Sequence, residues 1–194
     1  MILALLALLA CSEFALQPPD PTPPADPPAV DPDADFGQPP DWSTCSPGWF
    51  GQYFNPIEDL PTEPPSSPEE LDAWSDLSFR RFDTSLELGG SWWPVDDGYA
   101  GDPATFGVRW TGWMRASRAG PASFVLGAAD VVWLAVDGEW MARSDASEPE
   151  VHAIEVETGQ FRVELRFAQL GGDTSSLRFR AVSPDVELCP PRFD

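Results

Sequence analysis

The stretch FRVELRFAQ at residues 161–169 puts Phe161, Val163, Leu165 and Phe167 on one side of an extended chain and Arg162, Glu164 and Arg166 on the other. A strict period of two is what a strand with one buried and one wet face requires, and it does not fit the 3.6-residue period of a surface helix. Similar short runs recur: WFGQYFN at 49–55, FGVRWTGWMR at 106–115, ASFVLGA at 122–128, VVWLAVDG at 131–138, HAIEVETG at 152–159 and SLRFRAV at 176–182. Turn signals punctuate them, among them Asn55-Pro56, Asp137-Gly138, Thr158-Gly159-Gln160 and Gly171-Gly172-Asp173. Many short strands, tight turns and no long amphipathic helix predict an all-β chain, an antiparallel β-sandwich or barrel. One short helix is expected in SSPEELDAW at 66–74. There Ser67 stands at the cap position, Pro68 at the first helical position and Glu70 at the capping-box position.

The first forty residues are expected to stay outside that core. QPPDPTPPADPPAVDPDADFGQPP at 17–40 interleaves proline with aspartate and has no collagen period. This composition favours an extended, disordered stalk, in which roughly 30 residues at about 3.1 Å each reach about 90 Å. Ahead of it, MILALLALLAC is shorter than the roughly 20 apolar residues a spanning helix needs, but has the length of a signal-peptide core. Leu8-Leu9-Ala10-Cys11 resembles the lipobox of bacterial lipoproteins. That resemblance implies cleavage before Cys11, lipid on its new amino terminus and, with Ser12 following, sorting to the outer membrane. The expected organisation is a signal peptide at 1–10, a lipidated Cys11 with a disordered linker at 11–44, a domain at 45–189 and a short tail at 190–194. In an oxidising compartment Cys45 and Cys189 can pair and tie the domain ends together.

Charge and side-chain inventory narrow the function. With 11 Lys+Arg against 32 Asp+Glu, a formal charge of -21 repels nucleic-acid phosphates and anionic lipid headgroups. The single histidine, His152, excludes a His-rich zinc site, and no Gly-x-Ser-x-Gly presents a nucleophile. His152 reads as a strand histidine with its hydrogen bonds satisfied, and no spacing singles out two carboxylates for glycosidase chemistry, so a non-catalytic protein is expected. In WWPVDDGYAGDP at 92–103, Asp96, Asp97 and Asp102 could ring a cation and Trp92 and Trp93 could stack on a sugar, although the spacing is not that of an EF-hand. Most of the nine tryptophans serve packing. Trp133 and Trp140, beside Asp130 and Asp137, are the candidates for an exposed stacking platform.

The order of these runs resembles a known module. GWFGQYFN, FGVRWTGWM, AGPASFVLGAADVVWLAVDG, ETGQFRVELRF and SLRFRAV together make residues 48–182 similar to the PA14 domain, a β-sandwich found in glycosidases, adhesins and fungal flocculins. In flocculin-type members two consecutive aspartates joined by a cis peptide hold a calcium ion that coordinates sugar hydroxyls. Here the matching positions are Ala129 and Asp130, with Val131 in place of glycine. One charged ligand is therefore absent, Asp130 is the remaining metal candidate, and Ala129-Asp130 is expected trans because a non-proline cis bond costs about 3–4 kcal/mol. Asp137-Gly138 fits the positive-φ positions of a type I′ turn, which accounts for both residues without a ligand. The implied protein is a monomeric, membrane-anchored surface module that recognises polysaccharide or another surface component through Asp130, Trp133, Asp137 and Trp140, with calcium as an optional ion. An assembly domain of an envelope complex is the alternative.

Overall fold

The computed structural model describes residues 36–55, 57, 59–89, 101–171 and 175–193. Cys11, Trp92, Trp93, Asp96 and Asp97 lie outside the described residues. The strands are β1 (Trp49–Phe54), β2 (Leu77–Asp83), β3 (Leu86–Leu88), β4 (Thr105–Ala116), β5 (Gly120–Ala128), β6 (Val131–Val136), β7 (Glu139–Ser144), β8 (Glu150–Val156), β9 (Gly159–Leu170), β10 (Leu177–Ala181) and β11 (Val186–Cys189). They form two antiparallel sheets, β2-β1-β4-β9-β6-β7 and β3-β10-β5-β8. β4 and β9 pair along their full length, from Thr105 opposite Leu170 to Ala116 opposite Gly159, and make the spine of the larger sheet. β11 pairs with the second half of β4, in line with β1 on the first half.

The period of two in β9 is realised. Val163, Leu165 and Phe167 are fully buried and meet Phe106, Val108, Trp110 and Met114 of β4, Phe124 and Leu126 of β5, and Leu177 and Phe179 of β10. Burying each such side chain stabilises the fold by about 1.5–3 kcal/mol, which is what joins the two sheets. The opposite face of the larger sheet is not wet, however. Thr111, Gln52 and Glu164 on it are buried, because the connector between β1 and β2 and the segment before β1 lie across it.

That connector contains the expected helix, shortened to one 3-10 turn, Pro68–Glu70. Ser67 caps it by accepting from the Glu69 amide. Glu70 does not close the capping box; its carboxylate takes the Ser66 hydroxyl at 2.5 Å instead. The turn stops there because the chain must stay extended to lay Leu71, Ala73 and Trp74 on the sheet. With Ile57 they form a second small core against Val131, Trp133 and Ala168. Its proline-rich carbonyls receive donors from the strands below: Arg143 donates to Pro64 and Pro65 carbonyls, and Trp133 to that of Ser66.

The folded unit also extends past both expected boundaries. Cys45 and Cys189 are disulfide-bonded with their Cα atoms 6.1 Å apart. Beyond them Gln38 and Arg192 exchange backbone hydrogen bonds of 2.8 and 3.0 Å. Phe36 sits between Arg109 and Arg162, each 5.3 Å from its ring centroid, and its carbonyl accepts from the Trp113 indole. Residues 36–44 and 190–193 therefore pack with the sheet, because two guanidinium groups offer Phe36 a cation-π site that a linker reading overlooks.

β2 was not evident as a strand because its inward side carries charge. Asp83, 7% exposed, accepts from the Tyr53 hydroxyl at 2.6 Å, the Trp110 indole at 2.7 Å and Arg81 Nε at 2.7 Å. Gly51 makes room for this clamp. A Cβ there would stand 2.8 Å from Asp83 Oδ2 and 2.9 Å from both the Trp110 indole nitrogen and the Tyr53 ring. Gly51→Ala is expected to lower unfolding free energy by about 3 kcal/mol through overpacking, and Asp83→Asn by a similar amount, about 3 kcal/mol, by removing the charge to which Tyr53, Trp110 and Arg81 all donate. Both are read by urea denaturation. Burial, followed by the Asp83 charge, pushes the Tyr53 phenol far above its ordinary range. Its folded value is raised, so its contribution is complete below about pH 10 and falls as pH rises beyond that. The Tyr53 phenolate absorbance should therefore appear only together with unfolding, and Tyr53→Phe should abolish that step.

Candidate ligand-binding site

The two aspartates that bracket β6 are not a pair. Asp130 precedes the strand and Asp137 follows it, and seven residues of extended chain set them roughly 20 Å apart. Asp137 and Gly138 have φ of 49° and 84°, the signature of the expected type I′ turn. The Asp137 carboxylate is already used, accepting from the Arg162 amide at 2.7 Å. Asp130 Oδ2 accepts from the Leu170 amide at 2.7 Å, and burial raises its carboxyl above the usual carboxylate range.

Calcium fits this corner poorly. Ala129 offers no carboxylate and uses its amide on the Ser176 carbonyl at 2.9 Å. The Asp130 carboxylate caps a strand end. Among the described residues no three His, Cys, Asp or Glu side chains come together in a way that could hold a metal, whereas calcium takes six to eight oxygen ligands. Asp102 likewise serves local structure, accepting from the Ala104 amide and the Thr105 hydroxyl.

A bulge in the β6–β7 pairing between Leu134 and Ala135 brings Trp133 and Trp140 to the same outer face. They do not form an exposed platform. Trp133 is 1% exposed, because the connector covers it, and so it presents no ring to a sugar. Trp140 is half-buried and donates to Glu69 at 3.0 Å. Arg166 lies against both Trp140 and Trp74, 5.3 Å from each centroid. The guanidinium thus fills the place between two indoles where a ligand ring would otherwise stack, and Glu164 holds it at 2.6 Å.

The strand histidine is not satisfied as expected. His152 lies opposite Phe124 in the β5–β8 pair, and its Nε2 is buried with no hydrogen-bond partner among the described residues.

A different place has the shape of a site. Between β3 and β10 of the smaller sheet and the start of β1 with β11 of the larger one lies a cleft of about 520 Å³. That volume is in the range of small-molecule sites, roughly 300–1,000 Å³. Trp42, Trp49, Ser85, Glu87, Arg180 and Glu187 contribute to its walls, and the disulfide forms part of one side. Arg180 and Glu87 pair loosely at 3.6 Å with both side chains more than half exposed. Glu187 pairs with Arg115, which also stacks on Trp42 with its guanidinium carbon 4.9 Å from the ring centroid. The indoles of Trp74, Trp110, Trp113, Trp133 and Trp140 all donate to a carbonyl or carboxylate. That of Trp42 is buried and has no acceptor among the described residues, a state that costs about 1–3 kcal/mol. Sequence reasoning missed this cleft because Trp42 fell within the expected linker. Its position three residues before a cysteine of the disulfide was the one available signal.

No known family profile and no curated protein sequence matches the chain. Solved structures do. An anti-sigma factor domain-containing protein from Clostridium clariflavum superposes over 86% of this chain and 52% of its own, with 17% identity and a TM-score of 0.52, so the chain spans about half the length of that protein. The PA14 sugar-binding domain from an RTX adhesin matches over 73% of this chain and 94% of its own, at 17% identity and a TM-score of 0.53. The PA14 domain of the antifreeze protein MpAFP matches over 75% and 92%, at 14% identity and 0.54. At these identities the shared property is the fold, and the chain is accordingly a β-sandwich of the PA14 type.

Proposed function

We propose that this protein is a non-catalytic carbohydrate-binding module, exported and held to the outer membrane by lipid on Cys11. The observation that carries the reading is the match in fold to nearly the whole of a domain described as sugar-binding. Its charge of -21 argues against polyanionic ligands and suits a neutral polysaccharide. No calcium is required in this reading, since the Asp130 carboxylate already caps the Leu170 amide.

A second reading, an assembly domain that meets a protein partner, is favoured by one patch. Phe82 and Phe193 are 57% and 43% exposed. Each packs with Phe50, at centroid distances of 5.4 and 4.6 Å.

The two readings separate on an array of neutral and acidic oligosaccharides followed by tryptophan fluorescence. A carbohydrate module should respond to neutral glycans, equally well with EDTA present and with no sugar released. Silence across the array, with a protein captured instead, would leave only the assembly reading. Anchoring has its own check: Cys11→Ala should move the protein from the membrane fraction to the soluble fraction, and an unchanged distribution would refute the lipid.

A further inference from the structure

The geometry points to the cleft beside the disulfide, not the Asp130 corner, as the place where a neutral oligosaccharide binds; this rests on the carbohydrate reading above. Four observations converge there. Arg115 stacks on Trp42 yet does not line the cleft, so it backs the indole and leaves the other face for a sugar ring. An aromatic face offers the C–H side of a pyranose an apolar surface of matching shape.

The unpartnered Trp42 N–H belongs to a residue of the same wall. That N–H is itself shut off from the cleft, so it takes no hydroxyl but reports through its chemical shift on a ring stacked against the indole. The opposite wall carries Ser85, Glu87 and Arg180. Glu87 and Arg180 are long-paired and more than half exposed, so each keeps hydrogen-bonding capacity for a ligand.

The signs of charge then select the class. Each carboxylate of the cleft is neutralised by a guanidinium, Glu87 by Arg180 in the wall and Glu187 by Arg115 behind Trp42. Such pairs are near-neutral locally, and Glu87 with Arg180 presents an acceptor and a donor side by side, which matches vicinal hydroxyls and rewards neither an anion nor a cation. The ligand class is a short neutral oligosaccharide. The Asp130 corner has none of these features, its carboxylate being engaged by Leu170 and its neighbour Trp133 being buried.

The test uses the full chain carrying Cys11→Ala, labelled with 15N and titrated with maltotriose, cellotriose and mannotriose. Loss of one indole signal in Trp42→Phe identifies the Trp42 N–H. We expect that signal to move on titration, Glu87→Gln and Arg180→Gln to bind about tenfold more weakly at unchanged Tm, and Asp130→Asn to bind as the parent does. Binding lost in Asp130→Asn but kept in Glu87→Gln and Arg180→Gln would overturn the location and leave the carbohydrate reading standing. If no trisaccharide moves any signal of the parent chain, both fall together.

Discussion

A carboxylate held inside an aromatic core organises one half of the sandwich. Asp83 draws donors from three directions: a phenol from β1, an indole from β4 and a guanidinium from its own strand. Desolvating a carboxylate is expensive, and only a complete set of charge-assisted bonds offsets it. The three strands must therefore be in register before the clamp can close. Gly51 is the steric condition for that closure, since no larger residue leaves room between the Trp110 nitrogen and the Asp83 oxygen. The chemistry thus specifies which strands are neighbours, where apolar packing alone would accept several arrangements.

The outer face of the larger sheet follows a different logic. A connector rich in proline has few amides of its own to offer, and its carbonyls must find donors elsewhere. Arg143 and Trp133 supply them from β7 and β6, while Trp140 and Arg166 hold Glu69 at the following turn. The tryptophans there are fasteners. Their indole N–H groups and flat faces are consumed in keeping a poorly self-bonded segment on the sheet, which is why the ring faces that look available by sequence neighbourhood are occupied.

Much of the architecture was legible in the chain. The apolar face of β9, the Asp137-Gly138 turn and the Ser67 cap each depend on local chemistry, and each stands as read, whereas the face of β9 expected to be wet is covered. β2 was illegible because Arg81 and Asp83 point to the core, and their compensation depends on Tyr53 and Trp110, about thirty residues away in either direction. The β7 bulge, which rotates Trp140 onto the face of Trp133, likewise has no signature in EWMARS itself. The cleft depended on more distant partners still: it exists only where residues 42–49, 84–87 and 179–189 meet, and no spacing along the chain announces that meeting.

The bridge between Gln38 and Arg192, with the disulfide close behind it, has a mechanical consequence. If the proposed lipid on Cys11 anchors the domain, tension reaches it at Gln38 and then at Cys45, four residues before β1 begins. The covalent bond passes that load to Cys189, whose backbone is hydrogen-bonded along β4 at the centre of the larger sheet. Pulling force therefore enters the structure at β11, which is bonded to β4, and β1 is not unzipped from its end. Below the disulfide only the Gln38 bridge and the Phe36 contacts can give way, so the segment outside it acts as a short extensible lead ahead of a rigid body.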